Sequence, residues 1–344
     1  MTTTTAPPPH TAAETFEQRR RSPLQRVQHV LHRRPELSPA LVLLAAVVVF
    51  GLVNERFLQP QNLSLVLQQV AVVAALAVGQ TLIILTAGID LSVGAIMILS
   101  TVVVGHVVSE RGFPGWLALL VGLLVGTAAG FLNGMLVTRI NLPPFIVTLG
   151  TLNIFTALSL LISGGLSIDG DVLGPLLTFT GQTFPIGPFR VTTGVLLVLA
   201  LYLVVGFALR QTAWGRHVYA VGDDADASRL AGIRVNRVLL SVYTVAGLIF
   251  ALTTWVLIGR IGGASPNAGV EANLDSITAV VIGGTSLFGG RGSLIGTLLG
   301  AITVGVFRNG LALAGVDVLY QTLVVGVLVI AAVSIDQWIR KVKA

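Results

Sequence analysis

From residue 39 onward the chain alternates long apolar runs with short polar breaks. Ten apolar segments emerge, over 39–56, 64–86, 93–109, 115–137, 144–163, 191–209, 238–259, 274–288, 293–313 and 317–335. A helix of ~20 apolar residues crosses ~30 Å of hydrocarbon, so the pattern predicts an all-α, polytopic transmembrane bundle. Glycine-rich stretches at 88–94 and 283–293 are expected to break two of these helices, which leaves a count of eight or nine spans open. Residues 1–38 stand apart. Their Thr/Pro-rich start reads as disorder, and Arg19, Arg20, Arg21, Arg26, Arg33 and Arg34 then gather around Leu24, Val27, Val30 and Leu31. That basic piece is either a short amphipathic helix on an anionic leaflet or a solvated tail that fixes orientation. The long proline-rich tract ahead of the first apolar run argues against a cleavable signal peptide. The expected organisation is a tail at 1–38, a transmembrane domain at 39–335 and a second tail at 336–344.

Composition sharpens this picture. Of 344 residues, 54% are hydrophobic and 10% charged, with mean hydropathy +0.88. A soluble domain carries about 25% charged residues, so a soluble enzyme is excluded. The net charge of +6 is distributed as a topology signal. With the N-terminus inside, 16 Lys and Arg fall on inner segments against four on outer ones (Arg56, Arg111, Arg190, Arg260), with Arg308 inside a span. This positive-inside bias places both termini in the cytoplasm and the chain in a plasma (inner) membrane. It gives no reason to invoke nucleic acid. There is no cysteine, and the histidines form no HExxH ladder. The glycine-rich Gly289-Gly290-Arg291-Gly292-Ser293 lacks the lysine of a phosphate loop. No catalytic residue, metal site or cofactor is expected on this chain.

Glycines recur four apart, at Gly122, Gly126, Gly130 and Gly134 and at Gly292, Gly296 and Gly300. Such ladders let another backbone approach, either within one subunit or along a pore or dimer seam. In the loop 210–237, Asp223 or Asp224 can cap a helix of about eight residues. Gly232 suits the left-handed position that ends it, with Ile233 packing back. Standing alone, that helix needs a partner to bury Leu230 and Ile233. A metal site on Asp223, Asp224 and Asp226 would need further ligands and a turn glycine.

Four stretches carry a resemblance: Leu85-Thr-Ala-Gly-Ile-Asp-Leu-Ser-Val-Gly94, Leu142-Pro-Pro-Phe-Ile-Val-Thr-Leu-Gly-Thr151, Thr212-Ala-Trp-Gly-Arg216 and Ala279-Val-Val-Ile-Gly-Gly-Thr-Ser-Leu-Phe-Gly-Gly-Arg-Gly-Ser293. Over about 55–335 the chain resembles the ribose-type monosaccharide permeases of ATP-binding-cassette importers, within the branched-chain amino-acid/sugar permease superfamily. The resemblance implies a second permease copy, an ATPase subunit or tandem ATPase carrying ATP and Mg, and an extracytoplasmic sugar-binding protein, all in membrane lipid. The segment Gly222, Asp223, Asp224, Ala227, Arg229, Leu230, Gly232 and Ile233 then resembles the helix that couples to the ATPase. The family's Gly-Gly-Asn stands here as Gly222-Asp223-Asp224, its Ser-Gly-Ile as Ala231-Gly232-Ile233, and its Glu-Leu-Asp as Asn273-Leu274-Asp275.

The broken-helix or gate residues are Gly88, Asp90, Ser92 and Gly94 in one segment, and Gly283, Gly284, Thr285, Ser286, Gly289, Gly290 and Gly292 in the other. Unwound backbone at membrane depth is tolerated only where it lines a cavity or lies buried in protein. Asp90 either caps the third span, pairs with Arg291, or serves a gate. Asn133, Thr148, Thr151 and Asn153 are pathway candidates or simple interhelical bonds. The expected function is a permease for a ribose, xylose, arabinose or galactose class of monosaccharide. Alternatives are an autoinducer-type sugar or a branched-chain amino acid. An ion-coupled transporter would need several embedded acids, where only Asp90 offers itself. An intramembrane enzyme would need a base beside Ser286, and its segment has neither histidine nor lysine.

Overall fold

The computed structural model describes residues 37–269 and 271–341. The chain opens with α1 (Leu37–Val53), α2 (Pro60–Leu85), α3 (Val93–Ser109), α4 (Gly115–Arg139) and α5 (Pro144–Ser163). A short capping region follows, with β1 (Ile168–Asp169), α6 (Gly170–Leu173), α7 (Pro175–Thr178), a 3-10 turn, β2 (Thr183–Ile186) and β3 (Phe189–Thr192). Then come α8 (Thr193–Gln211), α9 (Ala213–Asp223), α10 (Ala225–Leu230), α11 (Val235–Ile261) and β4 (Gly263–Ala264). The last helices are α12 (Ala272–Ile282), α13 (Leu294–Leu313) and α14 (Val318–Lys341).

Among the described residues, six helices are long and apolar enough to cross a membrane, namely α2, α4, α5, α8, α11 and α13. Shorter apolar helices occupy Leu37–Val53, Val93–Ser109, Ala272–Ile282 and Val318–Leu328. Every expected apolar segment is therefore helical, with one correction. The segment expected as a span over 274–288 stops at Ile282, and its 11 residues rise only about 16 Å. Gly283 and Gly284, the latter at φ +80, end the helix, as the expected break at the glycine-rich 283–293 stretch implies. The expected tail at 336–344 is a continuation of α14 as far as Lys341. The basic segment at 1–38 lies outside the described residues except for its last two.

Helix α2 forms the axis of the fold. Every residue from Val70 to Leu85 is buried, because α8, α11, α12 and α13 all pack around it. The apolar side chains left exposed lie on peripheral helices, such as Leu44, Leu161 and Leu203, where lipid replaces protein as the apolar partner. The first glycine ladder packs inside the subunit. A Cβ at Gly130 would meet the Tyr243 carbonyl at 2.3 Å, and one at Gly126 would meet Ala251 at 2.5 Å. Its mates Gly296 and Gly300 in the second ladder lie against the Gly283 and Ala279 carbonyls.

Helix ends sort onto two faces. On one, Asn236 donates to the Thr138 carbonyl (3.1 Å) and Trp214 to Ser241 (2.8 Å). On the other, Asn54 donates to the Leu313 carbonyl (2.9 Å) and the Arg190 amide to Ser64 (2.9 Å). The second face also carries the short strands, which an all-α reading did not foresee. Strand β1 pairs antiparallel with β4, and β2 with β3 in a hairpin turning at Gly187.

Candidate functional site

The first face is organised by helix α9. Thr212 caps it by accepting from the Gly215 amide, and Tyr219 donates its hydroxyl to the Gly292 carbonyl at 3.1 Å. Burial pushes the Tyr219 phenol above its ordinary range, against the pull of Arg210, so it remains a donor. Asp224 then caps α10, accepting from the amides of Asp226 and Ala227 at 2.9 Å each. At the far end the Gly232 amide bonds the Arg229 carbonyl and the Ile233 amide bonds the Ser228 carbonyl, both at 3.0 Å. With Gly232 at φ +85, this is the Schellman closure the sequence suggests. The helix has six residues rather than eight. Leu230 is 91% exposed, and Arg229 pairs with Asp226 on the same open surface. Ile233 is not free: it packs against the chain's own core.

Immediately before α10, three backbones meet. The Gly290 amide donates to the Leu85 carbonyl at 3.0 Å. A Cβ on Gly222 would lie 1.8 Å from that carbonyl oxygen, and one on Gly290 2.7 Å from Asp223 Cα. Gly289, at φ +82, lies against the Gly222 carbonyl and Ala87. The end of α2, the end of α9 and the 283–293 segment are thus in direct backbone contact, which only glycine permits. Within that segment Ser286 donates its amide to the Arg291 carbonyl (2.8 Å), and its hydroxyl accepts from the Phe288 amide (3.1 Å). Thr285 Oγ1 is buried without a partner, and a Cβ on Gly292 would strike Thr285 at 2.6 Å.

The 86–92 segment enters the bundle interior. Asp90, 1% exposed, accepts through Oδ1 from the Ser92 amide (2.7 Å) and hydroxyl (2.6 Å). Asn133 donates to Ser92 Oγ at 2.9 Å, Thr148 to the Ile89 carbonyl at 3.1 Å, and Asn273 to the Leu91 carbonyl at 2.6 Å. Gly94 lets Asn273 approach, since a Cβ there would lie 3.0 Å away. Asp90 Oδ2, Asn133 Oδ1 and Tyr243 Oη are buried without partners. Asp90 therefore shapes the turn before α3, and no ion pair joins it to Arg291 among the described residues. Asn133 and Thr148 serve as interhelical bonds to this segment, while Thr151 and Asn153 bond only within α5. Asn153 is nonetheless exposed halfway along that helix.

A third cluster escaped the sequence reading. Arg308 Nη1 binds Glu271 at 2.7 Å and Arg308 Nη2 binds Asp275 at 2.8 Å. Arg308 stands 14 residues into α13, about 21 Å from its start. Asp275 lies in the first turn of α12, one turn before Ala279, whose carbonyl lies against Gly300. An unpaired buried carboxylate is costly, and the Arg308 guanidinium supplies the partner of the buried Asp275. Asp275, like Asp90, is a buried acid, 4% against 1% exposed, whereas the Glu271 side chain is 59% exposed. Arg308 inside an apolar run was the available signal, but its partners lie 33 and 37 residues away. No group of three or more His, Cys, Asp or Glu suited to a metal gathers among the described residues.

A family model described as branched-chain amino acid transport system / permease component matches residues 62–333. The chain belongs to this permease family. It is 50% identical over 338 residues to the fructose import permease protein of Rhizobium meliloti, covering 97% of this chain and 94% of that protein. It is 40% identical over 304 residues to the ribose import permease protein of Bacillus subtilis (strain 168), covering 88% and 92%. The D-allose transport system permease protein of Escherichia coli (strain K12) is 35% identical over 301 residues, covering 87% and 91%. No solved structure matches the chain. The permease family's membership gives the apolar helices their setting: this is a multi-pass membrane transport component.

Proposed function

We propose that this permease forms the translocation pathway of an ATP-driven importer for a neutral monosaccharide. Its ten apolar helices cross or enter the inner membrane, with both termini and the α9–α10 face in the cytoplasm. Two copies pair, an ATPase subunit or tandem ATPase carrying ATP and Mg docks on α10, and an extracytoplasmic sugar-binding protein delivers substrate to the opposite face. The observation that carries this reading is the glycine junction. It links a capped helix that presents an exposed Leu230 to the ends of both interrupted helices, so displacement of α10 by a partner moves the segments at 86–92 and 283–293. The aligned fructose, ribose and allose permeases support the substrate class. The buried Asp275 is paired with Arg308, which leaves little for coupling to an ion gradient. Radiolabelled uptake by cells carrying the whole importer tests the reading, comparing fructose, ribose, xylose, arabinose and galactose with leucine. Saturable uptake of a sugar is expected. Leucine uptake with no sugar transported would overturn the substrate class.

A further inference from the structure

The turn before α3 holds a buried acid that the α10 junction does not use. Asp90 lies beside Tyr243 and Asn133, and all three residues are at most 1% exposed. Its Oδ1 accepts both the amide and the hydroxyl of Ser92. That hydroxyl gives its hydrogen to Asp90, so it can only accept from Asn133 Nδ2. The Asn133 amide is thereby oriented, and its Oδ1 is left as an acceptor. Asp90 Oδ2, Asn133 Oδ1 and Tyr243 Oη are all buried without partners. The three groups converge. Asn133 and Tyr243 both lie within electrostatic reach of the Asp90 carboxyl, and a Cβ on Gly88 would lie 2.9 Å from Tyr243 Oη. No cationic side chain pairs with Asp90 among the described residues. Helices α4, α5 and α12 meet the 86–92 segment through Asn133, Thr148 and Asn273, which do not titrate. Helix α11 contributes Tyr243. The 283–293 segment brings Gly289 against Ala87, Asp223 of α9 lies against Gly290, and Arg291 forms no ion pair with Asp90. Ala87 itself stands at φ +59, a region that strains a residue carrying a Cβ, so contacts must hold this segment in place.

We propose that Asp90, Asn133 and Tyr243 form a proton-binding site that latches the 86–92 segment to α4 and α11. With Asp90 ionised, the cluster holds two orphan acceptors, Asp90 Oδ2 and Asn133 Oδ1, and a single donor, the Tyr243 hydroxyl. A proton on Oδ2 makes two donors for two acceptors, Asn133 Oδ1 and Tyr243 Oη, so that every polar group can be satisfied. It also removes a buried charge that no cation offsets and that burial disfavours. Loss of the proton strands a carboxylate among buried neighbours. The strained segment then gains more from water than from its contacts, and it loosens. The proton is not carried across the membrane. It sets how firmly the end of the interrupted helix is held while the energy for transport comes from elsewhere.

The test uses the full-length permease in nanodiscs at pH 5 and pH 8. Infrared difference spectra are expected to show the C=O stretch of a buried, protonated carboxyl at pH 5. That band should vanish at pH 8 and be missing from Asp90→Asn at both. Hydrogen exchange read by mass spectrometry, corrected for its intrinsic pH dependence, reports the latch. In the wild type, exchange over residues 86–94 should be about fivefold or more faster at pH 8, the worth of one hydrogen bond. In Asp90→Asn it should not change with pH, because the amide supplies a donor that does not titrate. Exchange in α8 serves as the reference that stays constant. Thermal unfolding verifies that the variant is folded; if it is not, the wild-type exchange at 86–94 against α8 carries the test alone. Equal corrected exchange at both pH values in the wild type would overturn the site, as would the same carboxyl band and pH response in Asp90→Asn.

Discussion

Gly222→Ala is the sharpest perturbation the structure offers. The new Cβ would lie 1.8 Å from the Leu85 carbonyl oxygen and 2.7 Å from the Gly290 amide nitrogen. Real Cβ atoms come no closer than 3.0 Å, so the end of α9 and the end of α2 must part by at least 1.2 Å. Neither obstacle is a flexible side chain. Overpacking of this kind costs about 1–3 kcal/mol, and stretching the Gly290–Leu85 hydrogen bond costs about 0.5–1.5 kcal/mol more. Together that is roughly 2–4 kcal/mol, below the ~5–15 kcal/mol that holds a typical domain together, so the protein still inserts and folds. If the junction transmits motion from α10 to the interrupted helices, the same energy biases one gate state by about 30- to 1000-fold. The assay is sugar uptake and ATP hydrolysis by the full importer in proteoliposomes, with permease content checked by immunoblot. Uptake should fall to about a tenth or less at equal permease content. Uptake and stimulated hydrolysis at wild-type levels would refute the junction as a transmitting element.

Gly232→Val should abolish coupled ATP hydrolysis while leaving insertion intact, because a β-branched residue is a strong outlier at the φ of +85 found there; unchanged transport would show that α10 is not the coupling element. Leu230→Ser should weaken binding of the ATPase in pull-down and leave thermal stability unaltered, since the side chain buries almost nothing within its own chain. Asp90→Ala should lower the unfolding temperature of the solubilised permease more than Asp90→Asn, because the amide keeps an acceptor for the two Ser92 bonds; equal stability of the two variants would contradict that role.

What could be read from the sequence was local. The cap at Asp224 and the left-handed Gly232 follow from residues within one or two helical turns, and apolar runs located all ten helices, missing the C-terminal ends of α12 and α14 by six residues each. Tertiary proximity was not legible. Gly222 looked like part of a capping loop, and nothing in the chain announces that its missing Cβ makes room for the Leu85 carbonyl. Gly283 and Gly284 announced the break that ends helix α12 at Ile282, although the expected apolar segment ran through to residue 288. The Arg308 network depends on packing between α12 and α13, and the β1–β4 pairing joins residues some 95 apart, Asp169 to Gly263 and Ile168 to Ala264. Asn133 and Thr148 were visible as polar residues in apolar helices, yet only the fold shows that they bond to Ser92 and the Ile89 carbonyl.

The central claim is that this permease passes a monosaccharide at the expense of ATP hydrolysed by a partner. Its most direct test is uptake of labelled fructose and ribose into proteoliposomes holding the permease and ATPase, with binding protein and ATP supplied on their respective sides. Uptake is expected to persist when ionophores collapse the proton and sodium gradients, and to stop when the ATPase is inactivated. Uptake that continues with an inactive ATPase but ceases with an ionophore would contradict the account.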